Sequence, residues 1–231
     1  MSIILFFFTV LFPSEYDVGD VVSIEDQLVP FPICNGEYYN PELSLSDFNG
    51  DLNGGHYFVT WFDISATWWP ACETLAGGPV TIVENEWAEN QHVALFTSLS
   101  DLNQPYTCTQ WGNLGGGDIE PLIIYDSSDQ FMNWFGCCGA SVGWPSTVFL
   151  NHDMEVHFKG NYMGAFEINY VIEQLLEECG DDCIVPPPMA LFTYEINGLS
   201  VSFIDLSISE TSNIIEWNWD FGDGSNSSEQ F

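Results

Sequence analysis

Tyr57-Phe58-Val59-Thr60-Trp61-Phe62, followed by Ala66-Thr67-Trp68-Trp69-Pro70-Ala71-Cys72, decides the reading of this chain. The first stretch is a continuous apolar and β-branched run, the pattern of a strand buried on both faces. Pro70 is tolerated in a first helical turn, so a helix is predicted to start at the Trp69–Pro70 turn. Two thiols separated by two residues at such a turn exchange disulfides, because the helix dipole and free N–H groups favour a thiolate at the first position. Here the first position is Trp69 and the second is Cys72. The turn has a resolving thiol and no attacking one.

The pattern outward from this turn is layered. Ser14 to Asp26 is acidic and extended. Gly77-Gly78-Pro79 is expected to interrupt the helix, which resumes from Val80 to Asn90, and His92 to Thr97 reads as the next strand. A short helix around Trp111 spans Gln104 to Asn113. Pro121 to Tyr125 is a short apolar segment, and Ser128 to Phe135 has helical spacing. Ser146–Leu150 and Glu155–Phe158 flank a turn at Asn151–Met154 and form a hairpin. Phe166 to Glu178 closes the unit as a helix, its apolar face expected at Phe166, Tyr170, Val171, Leu175 and Leu176. Alternating strands and helices of this kind indicate an α/β layered domain.

Asp47-Phe48-Asn49-Gly50, the strand, Ala66-Thr67-Trp68-x-Pro70-Ala71-Cys72 and Trp144-Pro145-Ser146-Thr147-Val148-Phe149-Leu150 occur in an order and spacing that resemble the thioredoxin superfamily, in particular its secreted redoxin branch. The similarity runs from about Asp17 to Glu178. It implies a three-layer fold on a central mixed sheet. It implies a cis peptide bond at Pro145 beside the active turn, where the backbone of the preceding residue, Trp144, pairs with an extended substrate. Asp63, six positions before Trp69, matches the buried carboxylate that takes the proton of the resolving cysteine. The implied catalytic positions are Cys72, Asp63, Trp69 and Pro145, with Trp68 and Trp144 as the substrate platform. The implied partners are protein or peptide thiols and disulfides in extended conformation, with no cofactor. Disulfide exchange needs an attacking thiolate, so with Trp69 in that position the expected activity is impaired or altered. The alternative is a non-catalytic peptide-binding or structural module.

Cysteine usage points the same way. Cys34, Cys108, Cys137, Cys138, Cys179 and Cys183 make six disulfide candidates and leave Cys72 as the odd thiol of an exported chain. Cys179 and Cys183 can close a small loop after the last helix. Cys108 is expected to bridge to Cys137 or Cys138, with the other member pairing with Cys34 or Cys72. The four histidines, His56, His92, His152 and His157, form no ligand pattern and no zinc-type Cys-x-x-Cys is present, so no metal site is expected. His152 and His157 read as surface residues that could meet across the hairpin. Asp47 to Gly54 spaces oxygen-bearing side chains but lacks the acid that ends a calcium loop, and reads as a turn.

The chain carries 34 acidic residues against one basic residue, Lys159, for a formal charge of −33. Nucleic acids and anionic membrane surfaces bind through Lys and Arg and are excluded as partners. The acids are mostly scattered singly, as on a solvated surface in a saline or calcium-rich setting. Ile3 to Phe12 is an apolar run of signal-peptide length, placed within a leader over residues 1–16 and implying a secreted, periplasmic or cell-surface location. The layered domain is expected over 17–184, followed by a stiff Pro-rich linker at 185–188.

Beyond the linker the pattern switches to strand alternation. Val201 to Ser207, then Trp217-Asn218-Trp219-Asp220-Phe221-Gly222-Asp223-Gly224-Ser225, resemble a PKD domain, which implies a partial immunoglobulin-like β-sandwich over 189–231. About half of such a domain is present, and a truncated end is expected. The resemblance implies extracellular display or adhesion.

Overall fold

The computed structural model describes residues 15–116, 119–136, 143–183, 190–198, 200–208, 214 and 217–229. Residues 1–14 of the expected leader, the linker at 185–188 and the pair Cys137 and Cys138 lie outside them.

The strands of the main sheet are β1 (Phe31–Asn35), β2 (Glu42–Leu43), β3 (Val59–Ser65), β4 (Val93–Leu99), β5 (Ile123–Tyr125), β6 (Ser146–Leu150) and β7 (Val156–Gly160). They lie in the order β2-β1-β5-β4-β3-β6-β7. The central strands β3, β4 and β5 are parallel, and β1, β6 and β7 join antiparallel, so the sheet is mixed. The helices are α1 (Ile24–Gln27), α2 (Gly50–Asn53), α3 (Pro70–Leu75), α4 (Thr81–Trp87), α5 (Cys108–Gly112), α6 (Gln130–Phe135) and α7 (Ala165–Cys179). The stretch from Asp47 to Gly54, read as a turn, is helical instead: it holds the end of a 3-10 helix (Leu45–Phe48) and then α2, which Gly54 closes with a left-handed φ of 100°.

Every residue of β3 is buried, and its side chains alternate between two cores. Phe62 and Ile64 join Phe96 of β4 and Phe131, Trp134 and Phe135 of α6 on one face. Val59 and Trp61 join Val83 of α4 and Ile168, Ile172 and Leu175 of α7 on the other. The same alternation puts Asp63 on the α4 side of the sheet.

Two helical expectations need correction. Gly77-Gly78-Pro79 does not break the helix: Ala76–Val80 forms a π turn that carries α3 into α4. Proline has no N–H for the ordinary helical bond, and a wider turn absorbs it without ending the helix. The Thr81 hydroxyl donates to the Ala76 carbonyl at 2.9 Å, satisfying an oxygen within the altered turn. In α7 the buried face is Ile168, Ile172, Leu175 and Cys179, spaced four, three and four. Phe166, at 83% exposure, and Tyr170 face outward instead. The aromatic residues fit a stripe of their own, but the aliphatic one fits the flat floor of the sheet.

Disulfides staple two places. Cys179–Cys183 closes the short loop after α7. Cys108 bonds to Cys34 with Cα atoms 5.9 Å apart, not to Cys137 or Cys138 as expected. The cause is topological: α5 packs across β1, bringing together residues separated by 74 positions. Cys72 is a free, buried thiol and pairs with neither.

The C-terminal residues form two separate two-stranded antiparallel sheets, β8 (Phe192–Asn197) with β9 (Ser200–Asp205) and β10 (Trp219–Asp220) with β11 (Asn226–Ser227). Phe192, Phe203, Trp219 and Phe221 meet as an aromatic cluster with ring centroids 5.3–5.9 Å apart.

Candidate functional site

The turn after β3 is built from backbone. Trp69 is the N-cap of α3, with extended φ and ψ of −98° and 117°. Its N–H donates to Ala66 O at 3.1 Å, and its carbonyl accepts from the N–H groups of Cys72 and Glu73 at 3.0 and 3.2 Å. Asp101, just past β4, clamps the turn from behind. Both its carboxylate oxygens accept from the Thr67 N–H at 2.9 Å, and one accepts from the Thr67 hydroxyl at 3.1 Å. On the outer side, the Tyr106 hydroxyl donates to Glu73 at 2.8 Å.

Cys72 sits one turn in and is fully buried. Its sulfur accepts from the Ala66 N–H at 3.5 Å. Burial pushes the thiol pKa up to about 12, helped by the Asp63 charge and opposed by hydrogen bonds from Ala66 and Ser65. Asp63 is 1% exposed, and burial raises its carboxyl to about 7 against a lowering contribution from Ser65. The Ser65 hydroxyl donates to one Asp63 oxygen, while the other has no partner among the described residues. Ser65 therefore stands between thiol and carboxyl. Its hydroxyl proton is given to Asp63, and the thiol lies near enough to feel both the hydroxyl and the carboxyl charge.

A second carboxyl lies on the same side of the sheet. Glu84 of α4 is 7% exposed, and burial, followed by the nearby Asp63 charge, lifts it to about 8. It borders a void of about 10 Å³ with Ala76, Val80, Trp111 and Thr97, the last being the β4 neighbour of Asp63 in register. Sequence reasoning missed Glu84 because a helix broken at Pro79 gives no phase for the residues after it. The π turn shifts that phase by one residue, and Glu84 points inward beside Val83. Ser65 and Asp101 were also missed; Ser65 alone carried a signal, lying two residues from Asp63 on the same strand face.

Opposite the turn, the Trp144–Pro145 peptide bond is cis, the isomer the resemblance implied. Pro145 is buried and leads into β6, which pairs with β3 so that Thr147 lies opposite Asp63. Trp144 packs on the cluster that holds Cys72, and its Nε1 is buried without a partner among the described residues. Trp68 meets Trp69 and Trp144 edge to face at 5.5 and 5.8 Å. Trp68 and Trp69 are 51% and 43% exposed. The structure thus brings Asp63, Trp68, Trp69, Cys72, Trp144 and Pro145 together at the C-terminal end of β3.

Among the described residues no three His, Cys, Asp or Glu side chains gather as a metal-ligand set. The histidines are less superficial than expected. His152 is largely buried beneath Tyr57, with ring centroids 6.3 Å apart, and lies near Asp153. His157 lies 3.8 Å from Glu178, not beside His152. His56 and His92 contact each other, with ring centroids 4.7 Å apart.

No protein-family model matches the chain, and no curated protein matches it. Among solved structures, a candidate protein disulfide isomerase from Bacteroides thetaiotaomicron is similar over 70% of this chain and 89% of its own, at 13% identity and a TM-score of 0.50. A secreted disulfide oxidoreductase from Mycobacterium tuberculosis aligns over 66% of this chain and 99% of its own, at 13% identity and a TM-score of 0.47. The pneumococcal exposed lipoprotein thioredoxin from Streptococcus pneumoniae aligns over 63% and 98%, at 13% and 0.46. At these identities the likeness is one of fold, and the Bacteroides structure carries it: the described residues between 15 and 183 adopt a thioredoxin-like fold.

Proposed function

We propose that this is an exported thioredoxin-fold protein of the thiol-disulfide oxidoreductase type whose site is assembled but lacks the attacking sulfur. The observation that carries the reading is Cys72 alone, fully buried behind an N-cap occupied by Trp69. With its pKa lifted to about 12, roughly one thiol in 10⁵ is ionised at neutral pH. Such a sulfur does not suit attack on a substrate disulfide, and with Trp69 beside it there is no neighbouring sulfur in the turn whose mixed disulfide it could resolve. The carboxyl of Asp63, buried on the same side of the sheet, is the acceptor for its proton. Trp144 and Pro145 offer backbone to an extended polypeptide. The export reading rests on the two stapling disulfides, the apolar run Ile3 to Phe12 and the PKD-like stretch Trp217 to Ser225, which fits a display module.

Insulin disulfide reduction tests this. The protein as it stands is expected to be inactive above the dithiothreitol background, and Trp69→Cys to show turnover. Turnover by the unaltered protein, or none by a folded Trp69→Cys variant, overturns the reading.

A second reading is favoured by the exposed rings of Trp68 and Trp69, continuous with Trp144. In it the groove holds extended peptide without chemistry, as buried aromatic anchors do at interfaces. Peptide titration followed by tryptophan fluorescence, lost in Trp68→Ala, supports it. A Trp68→Ala variant that binds unchanged excludes it.

A further inference from the structure

At the other end of β3, a strand's length or about 20 Å from the Trp69 turn, the sheet opens into a cavity of about 580 Å³. The volume is that of a small-molecule site. Its floor is Phe48, Phe58 and the first residues of β4, and its wall is the pair Tyr38 and Tyr39. The rings fall in two groups that line the same cavity. Phe58 meets Phe48 edge to face at 5.5 Å and stacks on His56 at 4.3 Å, and Tyr38 lies 4.4 Å from Tyr39.

Two carboxylates border this aromatic surface. Asp47 is held in place by the Ser44 N–H at 2.9 Å and lies near the hydroxyls of Tyr38 and Tyr39. Glu37 is exposed at the rim. Nothing cationic answers them. The chain's single lysine, Lys159, is engaged with Tyr16 and Asp17, and it has no arginine. His56 is kept neutral, its pKa lowered by burial and by His92. The His56 Nε2 and the His92 Nε2 are both buried and unpartnered among the described residues.

Ring faces carry negative quadrupole potential, and with adjacent carboxylates they attract a weakly hydrated cation more than a neutral or anionic molecule. A hard divalent ion would require more oxygen ligands than this wall supplies. We propose that the cavity binds a small quaternary ammonium compound, its head group against Tyr38, Tyr39 and Phe58 in the field of Glu37 and Asp47. This site is separate from the Cys72 turn and independent of any chemistry there.

The test is an NMR titration of the full chain with choline chloride, and in parallel with 3,3-dimethylbutan-1-ol, its neutral isostere. Saturable shifts confined to Tyr38, Tyr39, Phe48, His56 and Phe58 are expected with choline, with the isostere about tenfold weaker. Glu37→Gln and Tyr39→Leu, both at exposed positions, should each weaken choline several-fold. Glu177→Gln, an exposed acid on α7, should leave it unchanged. Equal affinity for the isostere overturns the proposal, as do shifts scattered over the acidic surface or equal weakening by Glu177→Gln.

Discussion

Two buried carboxyls on one side of the sheet couple the stability of this protein to pH. Asp63 rises from 3.8 to about 7 and Glu84 from 4.5 to about 8, in both cases chiefly because burial penalises the charged form. The folded state therefore holds protons that the unfolded chain releases, and stability falls as pH rises through this window. Below about pH 4 both states are protonated and the two groups have no effect. A Glu84→Gln variant, neutral at every pH, should match the wild type in denaturant midpoint near pH 4.5 and exceed it increasingly toward pH 8. A gap that is constant with pH would show that Glu84 does not titrate in this way. Asp63, Cys72, Trp69 and Pro145 were legible in the sequence because each sits at a fixed distance from a strand or turn signal. Glu84 and Asp101 were not, since they reach the site through helix phase and loop path, which local pattern does not carry.

The elements show where periodicity suffices. β3 announced itself as a continuous apolar run, and its alternation sorts the two cores. In α7 two candidate stripes coexisted, and the aliphatic one is the buried one. Ile172→Ala should therefore cost about 2–5 kcal/mol in urea unfolding, while Phe166→Ala should stay within about 0.5 kcal/mol. The reverse order would place the aromatic stripe on the sheet. The α3–α4 junction misled sequence reading for a different reason. Two glycines and a proline are the ordinary signature of a helix end, but here tertiary packing of Leu75, Val80 and Val83 holds the helix through a π turn.

At the scale of the whole molecule, the two disulfides among the described residues differ in what they constrain. Cys34–Cys108 spans 74 positions and joins β1 to α5, whereas Cys179–Cys183 spans 4. By loop-closure entropy the first restricts the unfolded chain by about 4 kcal/mol and the second by about 2. A Cys34→Ser/Cys108→Ser double variant should lose more stability in urea than Cys179→Ser/Cys183→Ser; equal losses would contradict the ranking. The long bridge was illegible in the sequence because its partners meet only once the sheet has formed. Sequence proximity favoured Cys137 and Cys138 instead.

Lys159 brings these scales together. Its side chain is 7% exposed in β7, bonded to the Tyr16 carbonyl and lying 3.4 Å from Asp17, and so pins the N-terminal arm to the sheet. The chain has no arginine and no other lysine. Trypsin thus has a single peptide bond to cut, and that bond is inside a paired strand. The folded protein should pass through a tryptic digest intact and yield two large fragments once the sheet opens. Standard tryptic peptide mapping will under-detect it, while the same enzyme serves as a one-cut reporter of global unfolding.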